Sequence, residues 1–262
     1  MRRVHEQAEQ GEQYQQLHHV RNRTAGAMES LFSAIAKHYD AINTLASFGF
    51  DRLWRKRAID KLSHALAATG APIDRAYIAD IACGTGTSSI VLARRGAEVF
   101  AGDVSYGMLR IGEQRKSALP MQVSQRICFT HCDAHHLPLH DTSVDAVTIC
   151  FGLRNMDSRE QVFAECARVV KPGGVFMCLE FDNPHHRLWR AIVHQVSSCM
   201  VLCVAAIFRQ NSKPYQYLLQ SIKDWPGAAY ITEQLLTHGF EDVRVYRLGF
   251  GIASICIAYR TA

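Results

Sequence analysis

The run Ala79-Asp80-Ile81-Ala82-Cys83-Gly84-Thr85-Gly86-Thr87 follows apolar residues and leads into a helical pattern, so it reads as a buried strand, a glycine turn and a helix. Gly84 and Gly86 carry no side chain and adopt positive φ without strain, which lets backbone approach a ligand closely. The helix read over residues 88–95 aims its first N–H groups at the same space. Alone, such a turn also occurs for purely structural reasons. The next strand sharpens it.

That strand, residues 98–102, ends at Asp103, roughly 20 residues after the glycines, where a carboxylate is placed to accept hydrogen bonds from both hydroxyls of a ribose. The ligand is then a nucleoside. A dinucleotide fingerprint needs a third glycine where Ser89 stands, and a phosphate loop needs a Gly-Lys-Ser/Thr ending that is missing here.

Strands are expected near 76–81, 98–102, 126–131, 145–150 and 175–181, with helices near 88–95, 106–117 and 159–170 between them. Such alternation, with strands apolar on both faces, predicts a parallel sheet covered by helices on each side. A helix near 231–237, closed by Gly239, precedes strands at 241–248 and 253–260, whose short connection makes them an antiparallel hairpin. Together these make seven strands. Upstream, helices are expected over 29–38 and 51–69; in the second, Trp54, Ala58, Leu62 and Leu66 share a face, Asp51 caps the start and Gly70 the end. Ser105 and Ser158 are candidate N-caps.

The net charge of +5 is mild, and basic and acidic residues are interspersed, so composition argues for neither a nucleic-acid nor a lipid partner. Nine cysteines without a C-x-x-C pair fall mostly in apolar elements, which predicts reduced core thiols and a cytoplasmic protein. Residues 1–26 are rich in Gln, His, Glu and Arg and read as a disordered extension. They hold neither the apolar run of a secretory signal nor the acid-poor composition of a transit peptide. The longest apolar stretch, residues 199–208, is too short to span a bilayer.

The loop Asp80-x-Ala82-x-Gly84-Thr85-Gly86 resembles the nucleoside-binding loop of class I S-adenosylmethionine (SAM) methyltransferases, a Rossmann-like α/β fold. Further segments resemble, in chain order, the ubiquinone/menaquinone biosynthesis C-methyltransferases. Tyr39-Asp40-x-x-Asn43, Ser47-Phe48-Gly49 and Leu53-Trp54-Arg55 look like that family's N-terminal lid, and Phe151-Gly152-Leu153-Arg154-Asn155 like its most distinctive run. Val170-Lys171-Pro172-Gly173-Gly174 with Leu179-Glu180-Phe181, and Tyr215-x-Tyr217-Leu218-x-x-Ser221-Ile222, match its later segments. The Lys-Pro-Gly-Gly turn and the nucleoside loop occur in many SAM methyltransferases; the combination is specific. It spans about residues 30 to 260 and implies one methyltransferase domain over 27–262, with a helical lid and a helical insertion near 185–225.

The resemblance implies methyl transfer from SAM to a ring carbon of a polyprenylated quinol, with no metal. Asp80, Ala82, Gly84 and Gly86 would hold the amino-acid end of SAM, Asp103 and Val104 its ribose, Asp133 and Ala134 its adenine, with Cys150 a further cofactor-binding residue. Arg154 is the natural stabiliser of a phenolate but no base, since guanidinium stays protonated. A water, His or carboxylate must take the proton; Tyr39, Asn43, Asn155 and Asp157 are candidates for orienting it. An apolar tail brings the enzyme to a membrane surface, on the inner face, and residues 188–208 would line a tail groove, lie in the interface or form a plain buried helix. A homodimer or a quinone-biosynthesis assembly is a further expectation.

Structural readings stand beside these roles. Arg154 and Asn155 also serve as loop caps, Asp103 as an Asx-turn residue and Asp80 as an anchor for the glycine turn. The cluster His131-x-Asp133-x-His135-His136 with His140 has the residue types of a metal site, yet adjacent histidines in a polar loop are usually solvated. Thr87 stands where this family often has an acid, and Ser254 or a neighbour where it commonly has a histidine. The alternatives are a SAM methyltransferase for another small aromatic or lipid, and a non-catalytic SAM-binding scaffold. No Asn/Asp-Pro-Pro-Tyr/Phe run follows the fourth strand, which disfavours a nucleic-acid substrate.

Overall fold

The computed structural model describes residues 26, 29, 32, 33, 36, 44, 47, 49–182, 184, 217 and 220–261. Tyr39, Asn43, residues 188–208 and most of the expected 29–38 helix lie outside them. Seven strands form one sheet: β1 (Tyr77–Ile81), β2 (Glu98–Asp103), β3 (Ile127–His131), β4 (Val144–Cys150), β5 (Val170–Phe181), β6 (Phe240–Leu248) and β7 (Ala253–Arg260). Their order is β3-β2-β1-β4-β5-β7-β6. The first five run parallel, and β7 lies antiparallel between β5 and β6. The chain leaves β1 toward β2 on one side and returns to β4 on the other, which opens a crevice at the carboxyl ends of the strands.

The helices are α1 (Asp51–Ala68), α2 (Thr87–Arg94), α3 (Tyr106–Ser117), the short α4 (Met121–Ser124), α5 (Arg159–Val169) and α6 (Ala228–Thr237). Alternation along the strands divides the core in two. On one face Ile78, Ala146 and Met177 pack with Trp54, Leu62 and Leu66 of α1 and Leu92 of α2. On the other, Ala79, Val147 and Phe176 pack with Phe163 and Val169 of α5 and Ile231 and Leu235 of α6. Trp54, Ala58, Leu62 and Leu66 are all buried, as their common helix face predicts.

Three local expectations change. Asp51 is the first residue of α1 rather than its cap; Phe50 occupies that position, and the buried Ser47 hydroxyl accepts from the Asp51 N–H at 3.0 Å. Ser158 stands at the N-cap of α5 in a left-handed conformation (φ 35°) and makes no side-chain cap bond. Strand β5 starts five residues before the expected Val175, at Val170, because the Lys-Pro-Gly-Gly stretch is a register shift within the ladder, from Val144 opposite Val170 to Ala146 opposite Val175. Ser105 caps α3 as expected, accepting from the Met108 N–H.

Candidate active site

A cavity lies over the carboxyl ends of β1 to β4 and encloses about 690 Å³, its open mouth included. Its wall comes from four successive loops: Ala82 and Gly84 after β1, Asp103 and Val104 at the end of β2, Asp133 to His135 after β3, and Gly152, Asn155 and Met156 after β4. The backbone is bent to bring these loops close. Ala82 (φ 51°) and Phe151 (φ 62°) both occupy the left-handed region, which a non-glycine residue enters only where its surroundings enforce it. A side chain on Gly152 would lie 2.5 Å from the Ala82 Cβ, so the β1 and β4 loops touch because that position is bare.

Asp103 is the hinge of the nucleoside side. Its Oδ2 accepts from the Gly84 N–H at 2.7 Å and its Oδ1 from the Ser105 N–H at 2.8 Å. Each oxygen thus holds one loop, as an Asx turn does, while Asp103 also lines the cavity. Burial pushes the Asp103 carboxyl up to about 6, against the pull of those two N–H donors.

Asp80 does not line the cavity. It is buried beneath the turn, where Oδ2 accepts from the Ser89 hydroxyl at 2.6 Å and Oδ1 from Thr148 at 2.8 Å. It thereby ties the start of α2 to β1 and β4, and burial raises its carboxyl above the ordinary range despite both bonds. Gly86 sits behind the wall with φ 76°, where a Cβ would lie 2.4 Å from Phe129 Cζ. Cys150 lies on the α1 side of the sheet, its thiol pushed up to about 11 by burial.

Arg154 is completely buried and ion-paired with the equally buried Glu180, Nη1 to Oε1 at 2.8 Å. Nη1 also donates to the Phe151 carbonyl, and the guanidinium lies 5.0 Å from the Phe181 ring centroid. It is not a lining residue. Among the described residues Arg154 Nε and Nη2, Asn155 Oδ1 and Ser254 Oγ have no hydrogen-bond partner. Ser254, which stands near the family's histidine position, pairs in register with Glu180 across β5 and β7.

Sequence reasoning passes over Phe32, Met108, Cys132, His135 and Met156 as lining residues. They are ordinary apolar or loop residues in sequence, and only the meeting of four loops makes them neighbours. Among the described residues no group of three or more His, Cys, Asp or Glu is arranged to hold a metal ion. The loop histidines have other partners: His131 Nε2 lies 2.9 Å from the Val104 carbonyl, and His136 lies 3.1 Å from Gln161 Nε2.

The fold is that of SAM-dependent methyltransferases. A Thermotoga maritima structure described as a SAM-dependent methyltransferase, possible histamine N-methyltransferase, matches 88% of this chain and 99% of its own at TM-score 0.61 and 16% identity. A putative SAM-dependent methyltransferase of Methanococcus maripaludis matches 88% and 94% at TM-score 0.58 and 19% identity. The chain belongs to the ubiE/COQ5 methyltransferase family, whose model matches residues 19–260. The demethylmenaquinone methyltransferase of Clavibacter sepedonicus is 36% identical over 88% of this chain and 89% of its own. The ubiquinone/menaquinone biosynthesis C-methyltransferase UbiE of Rubrivivax gelatinosus is 35% identical over 88% and 86%. The protein is a SAM-dependent methyltransferase.

Proposed function

We propose that this enzyme methylates a ring carbon of a reduced, prenylated quinone precursor. The names of the relatives support this acceptor class. The observation that carries the reading is the β4 loop, which puts Asn155 on the cavity wall with the buried Arg154 next to it in sequence.

The residues present fit SAM. Gly84 leaves bare backbone at the turn, the carboxylate of Asp103 faces the ribose position, and Asp133 and Ala134 offer an acceptor and a donor for the adenine edge. SAM supplies an electrophilic methyl group on a sulfonium centre. This chain's task is to hold the acceptor ring in line and electron-rich. Asn155 Oδ1, a buried acceptor with no donor, receives the hydrogen bond of the ring hydroxyl. Glu180 neutralises Arg154 at long range and Arg154 lies behind the cavity wall, so it stabilises a phenolate only when acceptor binding shifts the β4 loop and turns its unmatched Nε and Nη2 donors toward the ring. Tyr39 and Asn43 are the proposed lid residues that orient the proton acceptor. Asp80, Gly86 and Cys150 support the cofactor loop from behind.

Contact with a membrane surface follows from the apolar prenyl tail. Phe50 and Leu53 at the start of α1 and Phe250 in the β6–β7 turn are exposed, and Gly249 and Phe50 both adjoin Trp54, which makes one apolar corner. Among the described residues no helix is long and apolar enough to cross a membrane. A homodimer or a quinone-biosynthesis assembly at that surface belongs to the same proposal.

An electron-poor quinone ring cannot attack an electrophilic methyl, whereas a quinol can. Turnover of a demethylated naphthoquinone or benzoquinone precursor should therefore require dithionite and fade under air. Equal turnover of the strictly oxidised ring would remove the mechanism.

A further inference from the structure

In sequence His135 belongs to the histidine cluster after the third strand. In the structure its ring connects two walls of the cavity. Nδ1 lies 2.5 Å from Asp133 Oδ1, on the loop after β3. Nε2 lies 2.9 Å from the Asp157 carbonyl and 3.1 Å from Asp157 Oδ1, on the loop after β4. The imidazole is largely buried, with 11% of its side chain exposed, and His135 itself lines the cavity.

All three of those oxygens only accept hydrogen bonds when the carboxylates are ionised. A neutral imidazole has one N–H and one lone pair, so one of its nitrogens would face acceptors with no proton between them. The geometry is satisfied on both sides only by the doubly protonated ring. We infer that His135 acts as an imidazolium clasp, a positioning residue that closes the adenine side of the SAM site by tying the Asp133 loop to the Asp157 loop. The inference rests on the reading of this cavity as the SAM site.

The clasp also sets the orientation of Asp133. Its Oδ1 takes both the His135 backbone N–H, at 3.0 Å, and the ring. Oδ2 has no partner among the described residues and is left for the exocyclic amine of adenine. The groups that face His135 are consistent with its charge. The β3 loop contributes Asp133, the β4 loop Asp157, and α5 the uncharged Gln161, which reaches the His135 carbonyl at 3.4 Å and the adjacent His136 ring. Burial opposes the charge, but the Asp157 carbonyl and the Asp133 carboxylate outweigh it and raise the His135 pKa.

The sign follows. A histidine with a raised pKa holds its contacts at low pH and loses them as pH rises through the folded-state value. The clasp is closed below that value and opens as pH rises through it, and affinity for the nucleoside falls with it.

Calorimetric titration with S-adenosylhomocysteine from about pH 6.5 to about pH 9 tests this on the wild type, His135→Gln and Asp157→Asn. Wild-type affinity should fall about tenfold over the range, as expected for one charge-assisted hydrogen bond. His135→Gln should bind weakly throughout and lack that slope. Asp157→Asn should move the slope to lower pH, because it removes a negative charge that favours the imidazolium. In the wild type, nitrogen-15 NMR should show both His135 ring nitrogens protonated at neutral pH, with the resonance assigned by its movement in Asp157→Asn. Parallel pH profiles in wild type and His135→Gln, or a single neutral tautomer at pH 7, would overturn the clasp. Absence of binding by the wild type at every pH would instead overturn the SAM-site reading.

Discussion

Two residues separate what holds the site from what reacts in it. Asp103 joins the glycine turn to the start of α3 through two N–H donors and lines the cavity. Asp103→Asn keeps the shape but turns an amide donor toward one of those N–H groups, so S-adenosylhomocysteine affinity should drop about tenfold to a hundredfold. Unchanged affinity by calorimetry would remove the ribose assignment. Its pH dependence is opposite to that of an ordinary surface carboxylate. The folded value near 6 lies above the unfolded one because of burial, so this group favours the fold at low pH, and that contribution is lost as pH rises through about 6. The proposed ribose contact uses the ionised form, so wild-type affinity should decline as pH falls below about 6. Arg154 is different, because its charge is half of a sealed pair with Glu180. Arg154→Met strands the Glu180 carboxylate and should cost about 3–5 kcal/mol in chemical denaturation, most of it recovered by adding Glu180→Gln. Arg154→Lys keeps a charge but loses the planar fork, so it should fold, bind S-adenosylhomocysteine normally and lose at least about tenfold in single-turnover rate. A normal rate would reassign Arg154 to holding the β4 loop.

At the scale of elements, the glycines divide by what surrounds them. Gly86 combines φ 76° with a Cβ position 2.4 Å from Phe129 Cζ, whereas Gly173 has φ 73° and open space. Gly86→Ala should cost about 2–4 kcal/mol, from backbone strain and overpacking together, and Gly173→Ala only about 1 kcal/mol. Equal losses in urea denaturation would show that packing against β3 plays no part. Sequence reads the elements well where apolar runs are bounded by turn residues, as with α3 over Tyr106–Ser117 and the β6–β7 hairpin. It misplaces the start of β5, because Lys-Pro-Gly-Gly has the residues of a turn and only the ladder to β4 shows that pairing resumes across it. It assigns caps to Asp51 and Ser158 from residue type, while the actual bonds depend on a neighbour, Ser47, and on the left-handed backbone at Ser158. Asp103, Asp133 and Asn155 are legible as cavity residues because each ends a strand or follows it. His135 and Met108 are not, since their place in the wall depends on loops and helices that meet only in the fold.

The whole molecule places the proposed cofactor residues at one end of the sheet. Strand order reverses between β1 and β4, and the loops after β1 to β4 converge there, with Asp103 and Asp133 on one flank and the Gly152–Met156 turn on the other. The antiparallel β6–β7 pair closes the sheet beyond β5 and sets Ser254 opposite Glu180, next to Arg154. In the proposed reading the nucleoside and the acceptor take separate walls of one cavity, and the methyl group is delivered to carbon, with a ring hydroxyl donating to Asn155 and a ring carbon facing the donor. The direct measurement is a reaction with SAM carrying a carbon-13 methyl group and a dithionite-reduced demethylated quinol, with the product examined by carbon NMR and mass spectrometry. A single added methyl group bonded to ring carbon is expected. Label on a ring oxygen, or no transfer to any reduced quinol by folded enzyme that binds S-adenosylhomocysteine, would contradict it.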